Sequence, residues 1–180
     1  MTKTEIFNQL DTHYQFFNDY LAGLTTSQYV FSYQGKWDAS QQLQHIIQSV
    51  KPLVKVFGMP PTMVLQAFGK SERDNWSYEV LKAEYLEKLK AGGKAPSQFL
   101  PAASSTDQRT EKLATLASLV NALKTRIANF EEADLESLHI PHPLLGNLTM
   151  KEMLYNCIYH VQHHQAQIAG YLEKKVNSQS

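Results

Sequence analysis

The sequence lacks several features that define common classes of protein. Its 180 residues include a single cysteine, Cys157, so no disulfide can form within the chain, and 17 basic residues balance 17 acidic ones. Without a cluster of basic residues, the chain has no electrostatic footprint for nucleic acid or for an anionic membrane, and neither is expected as a partner. The uncharged apolar runs are only a few residues long, whereas a membrane-spanning helix needs about 20.

The sequence also has little glycine and proline, and its first residues do not predict an export signal. Glycine and proline together account for 15 of the 180 residues (8 and 7), below the usual share of about 12%. Residues 1–13 lack the basic and apolar regions of a signal peptide, which with the single cysteine predicts a cytoplasmic protein. The length suits one domain, so we expect residues 1–180 to form a single domain.

Apolar residues recur at helical spacing in most of the chain. Thr2 with Glu5 and Thr149 with Glu152 match the capping-box pattern of a helix start, and Asp38 is a typical N-cap. We predict helices over residues 3–23, 39–57, 78–89, 107–130 and 149–175, with a helical turn at 63–68.

Two connections between these helices differ in composition from the rest. Residues 91–106 are rich in glycine, proline, alanine and serine, and we predict a long surface loop of the kind that often borders a site. Residues 131–148 contain prolines and glycine and predict an irregular link. Pro52 is expected to kink the second long helix near Gln48. Long amphipathic helices without a convincing strand predict an all-α four-helix bundle with long connecting loops.

Seven histidines are many for a chain of this length, and five lie between residues 139 and 164. On a helix, His160 and His164 are about 40° apart and about 6 Å along the axis, so both can bind one ion, whereas His163 points elsewhere and is expected to be solvated. Such a pair suits zinc or nickel. On spacing alone, one histidine at the edge of the core beside an exposed one is the favoured interpretation.

His45 is a candidate third ligand that periodicity does not favour. It lies about 140° from the centre of its own apolar stripe, which predicts a solvent-facing side chain. A ligand role requires that this helix present a second side to the bundle or that the Pro52 kink turn it. Val161 follows His160, so the HExxH motif with its built-in base is missing, which argues against a metalloprotease.

Two stretches resemble motifs of a known family. Residues 35–49, GKWDASQQLQHIIQS, resemble the DinB-like (DinB/YfiT) motif in which Trp37 opens the second helix and a histidine follows eight positions later. Residues 142–168, HPLLGNLTMKEMLYNCIYHVQHHQAQI, resemble the closing HxxxHxxQI motif. They are particularly similar to a branch of unknown function that carries HPxxGxLT before the last helix.

The resemblance implies a DinB-type bundle whose three-histidine metal site maps onto His45, His160 and His164, with the remaining coordination positions open. Zinc or nickel is the expected metal. Better characterised relatives use low-molecular-weight thiols, so we expect a metal-dependent thiol transferase or a hydrolase that acts on a small molecule. The alternatives are a non-catalytic bundle with a structural metal or a protein-interaction role in stress response, and a metal-free bundle. The neutral surface permits a homodimer.

Other candidate residues are weaker. His142 and Tyr159 are candidates for the substrate side of the site, and His139 and His13 are further candidates for a general base by their nearness in sequence to the motifs. For His142 and His139, a role in fixing a proline-bounded turn is the favoured interpretation. Cys157 lies on the apolar arc of the last helix and is expected to be buried and unreactive. Trp37 is expected to pack as a hydrophobic staple at a helix start.

Overall fold

A computed structural model describes residues 1–102 and 106–177, and helices dominate it. These residues form eight α-helices, two short 3₁₀ turns and one antiparallel hairpin. The α-helices are α1 (Lys3–Gly23), α2 (Thr26–Tyr29), α3 (Ala39–Val56), α4 (Pro61–Phe68), α5 (Tyr78–Lys90), α6 (Arg109–Ile127), α7 (Glu132–Ser137) and α8 (Met150–Asn177). The strands are β1 (His139–His142) and β2 (Gly146–Thr149), and the 3₁₀ turns are Ser97–Phe99 and Thr106–Gln108.

The four long helices α1, α3, α6 and α8 pack side by side as a bundle. α1 packs against α6 and α8, and α3 packs against the same two helices. Each long helix therefore has two long neighbours, as in a four-helix bundle. The predicted all-α fold is confirmed. Among the described helices, none has the length and hydropathy needed to cross a membrane.

Buried apolar side chains from the long helices form a continuous hydrophobic cluster. α1 contributes Ile6, Leu10, Tyr14, Phe17 and Leu21, which are spaced three or four residues apart and therefore share one face. Full burial of a side chain of this size contributes about 1.5–3 kcal/mol. The apolar periodicity of the sequence thus identifies the face of α1 that packs in the core.

The predicted helix starts are confirmed by their capping interactions. In α1, the backbone N–H of Thr2 donates to Glu5 Oε2 at 2.6 Å, and Glu5 N–H donates to Thr2 Oγ1 at 3.2 Å. Asp38 Oδ1 accepts from the backbone N–H of Gln41 at 2.9 Å at the start of α3. These bonds satisfy backbone donors that have no partner within the helix.

α3 runs without a break through Pro52, from Ala39 to Val56. The predicted kink near Gln48 stays a prediction. Beyond the end of α3, a Cβ atom on Gly58 would lie 2.7 Å from Nη1 of Arg126. Arg126 donates from this nitrogen to the carbonyl of Val54. The missing side chain at Gly58 therefore makes room for an arginine of α6 that satisfies a free carbonyl of α3.

The link at residues 131–148 is more ordered than predicted, because it contains α7 and the β1–β2 hairpin. Ile140 pairs with Leu148 and His142 pairs with Gly146, which has a φ of +73°. Strands of four residues are too short to show a clear alternation, and Pro141 is tolerated because both strands of a two-stranded sheet are edges. The hairpin contacts α8, and β1 also contacts α4.

The predicted loop at residues 91–106 reaches a buried part of the bundle. Its 3₁₀ turn, Ser97–Phe99, packs against α3. Residues 103–105 of the predicted loop lie outside the described residues. The segment between α5 and α6 therefore covers one side of α3. The apolar stripe of α3 does not predict that this side is covered.

Candidate metal centre

Three histidines that are distant in sequence meet between α3 and α8. Nε2 of His160 lies 3.1 Å from Nε2 of His45 and 3.0 Å from Nε2 of His164. All three side chains are buried. Their ligand atoms lie within 4.8 Å of one another, so this group could hold a metal ion.

The outer nitrogens of two of these rings are held by hydrogen bonds. Nδ1 of His45 donates to the carbonyl of Phe99 at 2.8 Å, and Nδ1 of His164 donates to Oε1 of Gln42 at 2.8 Å. Gln42 Nε2 donates to the Trp37 carbonyl at 3.0 Å, which fixes the orientation of its amide. With the protons on Nδ1, the lone pairs of both Nε2 atoms are directed at the meeting point, as metal ligation requires.

Burial keeps the three imidazoles neutral. It lowers the pKa of His45, although the hydrogen bond to Phe99 opposes this shift. Burial, together with the neighbouring imidazoles, lowers the pKa of His160 and His164 well below the ordinary value. Because His45 and His164 carry their protons on Nδ1, only His160 can place a proton at the meeting point. Three ring nitrogens thus converge on a point with at most one proton among them.

The donor set and its spacing fit a divalent metal. Neutral imidazole nitrogens are ligands that zinc, nickel and related ions prefer. Two nitrogens at about 2.0–2.1 Å from a shared ion, with an angle of about 90–110° between them, are about 2.8–3.4 Å apart. The separations of 3.0 and 3.1 Å fall in this range.

The structure corrects the orientation expected for His45. Its side chain is only 6% exposed, and Ser40 and Gln42 on the same helix are each 1% exposed. α3 therefore presents a second, polar side to the bundle, one of the two conditions under which His45 could join the other histidines. The apolar stripe alone concealed this side, because its buried residues are polar and form hydrogen bonds.

The hydrophobic staple expected for Trp37 is wrong. Its ring lies 5.0 Å from the ring of His45 and is nearly parallel to that of His164, at 6.5 Å and 14°. The staple position in α3 is occupied by the polar Gln42. Trp37 therefore covers two of the clustered imidazoles, which restricts their rotation and shields them from water.

A cavity of about 320 Å³ adjoins the histidines. His45 and His160 form part of its wall, and the remainder comes from α1, α3, α4, α5, α8, the hairpin and residues 94–99. Most of the wall is apolar, and its described residues include no aspartate or glutamate. Lys94 lies in the wall as an exposed residue. An ion at the histidines would therefore face a space that fits a small molecule.

The two substrate-side candidates differ in position. His142 lines the cavity, and burial lowers its pKa to about 4. Its Nδ1 accepts the backbone N–H groups of Leu144 and Leu145, both at 3.1 Å. The ring of Tyr159 packs against Tyr85 at 5.7 Å, and Tyr159 is not part of the described cavity wall.

The remaining histidines lie outside the described cavity wall. His163 is partly buried, not solvated as predicted, because its ring packs against Tyr85 at 5.8 Å and its Nε2 contacts Gln167 at 2.9 Å. Nε2 of His13 contacts Oε1 of Gln9 at 2.9 Å on α1. Neither His13 nor His139 lines the cavity.

Cys157 is buried as predicted, and burial raises the pKa of its thiol to about 12. It is therefore protonated and a poor nucleophile at neutral pH.

Two further parts of the centre have little signature in the sequence. Gln42 is a polar residue in a polar stretch, and the contribution of Phe99 is a backbone carbonyl, which every residue has.

Comparison with known proteins identifies a family for the chain. A family model described as the DinB superfamily matches residues 9–168, which is most of the chain and includes all three clustered histidines. No curated protein matches the chain.

Proposed function

The chain belongs to the DinB superfamily, and on that premise we propose that it is a metal-dependent enzyme acting on a small molecule. His45, His160 and His164 would hold the ion, with zinc or nickel as the metal. The proposal is carried by one observation: three neutral imidazole nitrogens converge beside a cavity of about 320 Å³. When bound, a divalent ion held by three neutral ligands keeps its +2 charge and stabilises an anionic nucleophile such as a thiolate or hydroxide.

We favour transfer of a low-molecular-weight thiol over hydrolysis. The described cavity wall has no carboxylate to act as a general base and is mostly apolar, which disfavours water as a reactant. In thiol transfer, the sulfur bonds to an electrophilic carbon and the group it replaces leaves with the bonding electron pair. The thiol proton passes to that group or to solvent. Lys94 at the cavity would attract the carboxylate that many small thiols carry.

Metal analysis tests the first part of the proposal. Protein purified without an affinity tag that binds metal is expected to contain close to one equivalent of zinc or nickel. His45→Ala, His160→Ala and His164→Ala should each lose the metal, whereas His163→Ala, which removes a neighbouring imidazole of α8, should keep it. A protein with all seven histidines that takes up no divalent ion would overturn the proposal.

An activity assay tests the second part. The metal-loaded protein should accelerate consumption of an activated aryl chloride by a small thiol, and His160→Ala should be inactive. Hydrolysis of an ester of similar size serves as the competing reaction. If ester hydrolysis is faster and independent of thiol, a hydrolase is the better description. If chelation lowers thermal stability strongly and neither reaction is accelerated, the metal is structural.

A further inference from the structure

His142 contributes to the cavity a ring with one nitrogen left for a ligand. Nδ1 accepts two backbone N–H groups of the hairpin turn, those of Leu144 and Leu145. A nitrogen that accepts hydrogen bonds carries no proton, so the proton of the neutral ring lies on Nε2. Burial keeps the ring neutral at pH 7, because it lowers the pKa to about 4. The turn thereby fixes His142 as a neutral donor.

This donor is uncommitted, in contrast with two other polar groups of the described wall. Ser49 Oγ already donates to the carbonyl of His45 at 2.9 Å, and the Tyr14 hydroxyl is directed at the carbonyl of Cys157 at 3.4 Å. None of the described residues accepts a hydrogen bond from Nε2 of His142. Asn156, one helical turn before His160, also lines the cavity, and its Oδ1 has no partner among the described residues.

We propose that the cavity binds a compact apolar molecule with a carbonyl oxygen, and that Nε2 of His142 donates a hydrogen bond to that oxygen. The apolar wall accounts for the body of such a molecule. The Nε2–H group of His142 is a neutral donor and therefore suits a neutral acceptor such as a carbonyl oxygen. An anionic acceptor would need a buried cation, but Lys94, the one cationic side chain of the described wall, is exposed. The inference deepens the proposed function and rests on it, because the carbonyl compound would carry the electrophilic carbon and the leaving group that the thiol replaces.

Matched probes test this preference. Acetophenone and its hydrocarbon counterpart ethylbenzene have similar size and shape, and their binding to the full-length protein can be followed by ligand-observed NMR. The ketone is expected to bind about fivefold more tightly, the contribution of one neutral hydrogen bond. Equal affinities, or no binding of either probe, would overturn the inference.

Two substitutions separate the donor from the role of His142 in the turn. In His142→Asn, the side-chain oxygen can replace Nδ1 as the acceptor for the turn, but no donor reaches the position of Nε2. This variant should unfold within a few degrees of wild type and lose the preference for the ketone. In His142→Gln, the amide nitrogen can reach that position while the turn loses its acceptor, so the ketone preference should persist in a less stable protein. A ketone preference that survives in His142→Asn contradicts the role assigned to Nε2.

The ring proton can be observed directly. In protein labelled with ¹⁵N-histidine, the long-range proton–nitrogen pattern of His142 should be that of the Nε2–H tautomer between pH 6 and 8, and an Nδ1–H pattern would refute the assignment. Probe binding is measured with and without a chelator. A ketone preference in protein that never takes up metal leaves the inference standing and removes the proposed function. A metal-loaded protein that does not prefer the ketone overturns the inference and leaves the proposed function standing.

Discussion

Two buried polar clusters on α8 differ in how completely their hydrogen bonds are satisfied. The carboxylate cluster lies at the start of the helix and consists of Glu152, Arg73, Trp76 and Thr149. Both carboxylate oxygens accept from Arg73 at 2.7 Å, and they also accept the backbone N–H groups of Trp76 at 2.6 Å and Thr149 at 2.8 Å. Four donors thus surround two oxygens, and the arginine also stacks on the Trp76 ring at 4.2 Å.

The histidine cluster is incomplete, and it joins His45 of α3 to His160 and His164, which lie two to three turns further along α8. Phe99 and Gln42 satisfy the outer nitrogens of His45 and His164, but the inner nitrogens of the three rings face one another with at most one proton to share. A buried polar group with all its partners stabilises the fold, whereas a set of lone pairs without donors is suited to an ion. The comparison separates a structural cluster from a binding one.

The largest effect is expected for metal affinity when a ligand is removed. His160→Ala should weaken binding of zinc by more than about 100-fold, since loss of an outer hydrogen-bond partner alone costs about 10–100-fold. Isothermal titration measures this change. The distinction between the two clusters is contradicted if His160→Ala keeps its zinc affinity. It is also contradicted if Glu152→Ala remains folded but loses as much zinc affinity as His160→Ala.

Removal of the buried carboxylate should give the largest loss of stability. Glu152 is 0% exposed, so Glu152→Ala leaves the backbone N–H groups of Trp76 and Thr149 without their acceptor and removes the ion pair of Arg73. We expect a loss of about 3 kcal/mol in the free energy of unfolding, at the low end for a broken buried pair because the Arg73 side chain is 36% exposed. Urea unfolding measures it. Glu79→Ala, which removes an exposed ion pair with Lys82, should change stability by less than about 0.5 kcal/mol.

A smaller effect is expected from the residue that orients His164. Gln42→Leu keeps the size of the side chain but removes the acceptor for Nδ1. Zinc affinity should fall by about 10–100-fold, because the ring loses the hydrogen bond that fixes its tautomer. Gln44→Leu, two residues along α3, is the matched control and should bind zinc like wild type. Equal affinities of the two variants would show that the outer hydrogen bond does not matter.

The smallest effect concerns the stability, at acid pH, of protein from which a chelator has removed the metal. The pKa of His142 is lowered from 6.5 to about 4 in the folded state, so the unfolded chain binds the proton more readily and stability falls as the pH drops below 6.5. Between pH 7 and 5.5 this residue should account for a loss of about 1 kcal/mol. His142→Asn should remove this share, which urea unfolding at the two pH values measures. An unchanged pH dependence in that variant would contradict the assignment.

The main helices of the bundle were predictable from the sequence because their signals are local. Capping residues such as Thr2 and Asp38 mark helix starts, and the apolar spacing of α1 and α8 marks their buried faces. The hairpin and α7 were not predicted, since elements of four to six residues show too little periodicity and depend on packing against α8 and α4.

The candidate centre was predictable only in part. The spacing of His160 and His164 indicates that they share a face, because both lie on one helix. The position of His45 depends on how α3 packs, and the apolar periodicity of α3 predicts instead that His45 faces solvent. Its inclusion came from the resemblance to a family. The tautomer of His142 depends on a turn whose geometry appears only in three dimensions.

The hydrogen bond from His45 to Phe99 links the interior to a surface segment through a main-chain atom. No amino-acid replacement at position 99 deletes a carbonyl, so the side chains of this loop are free to diverge while the imidazole keeps its partner. Insertions and deletions are different, because each one moves the carbonyl along the loop. Related chains should therefore tolerate substitutions between α5 and the Phe99 turn far better than changes in the number of residues there.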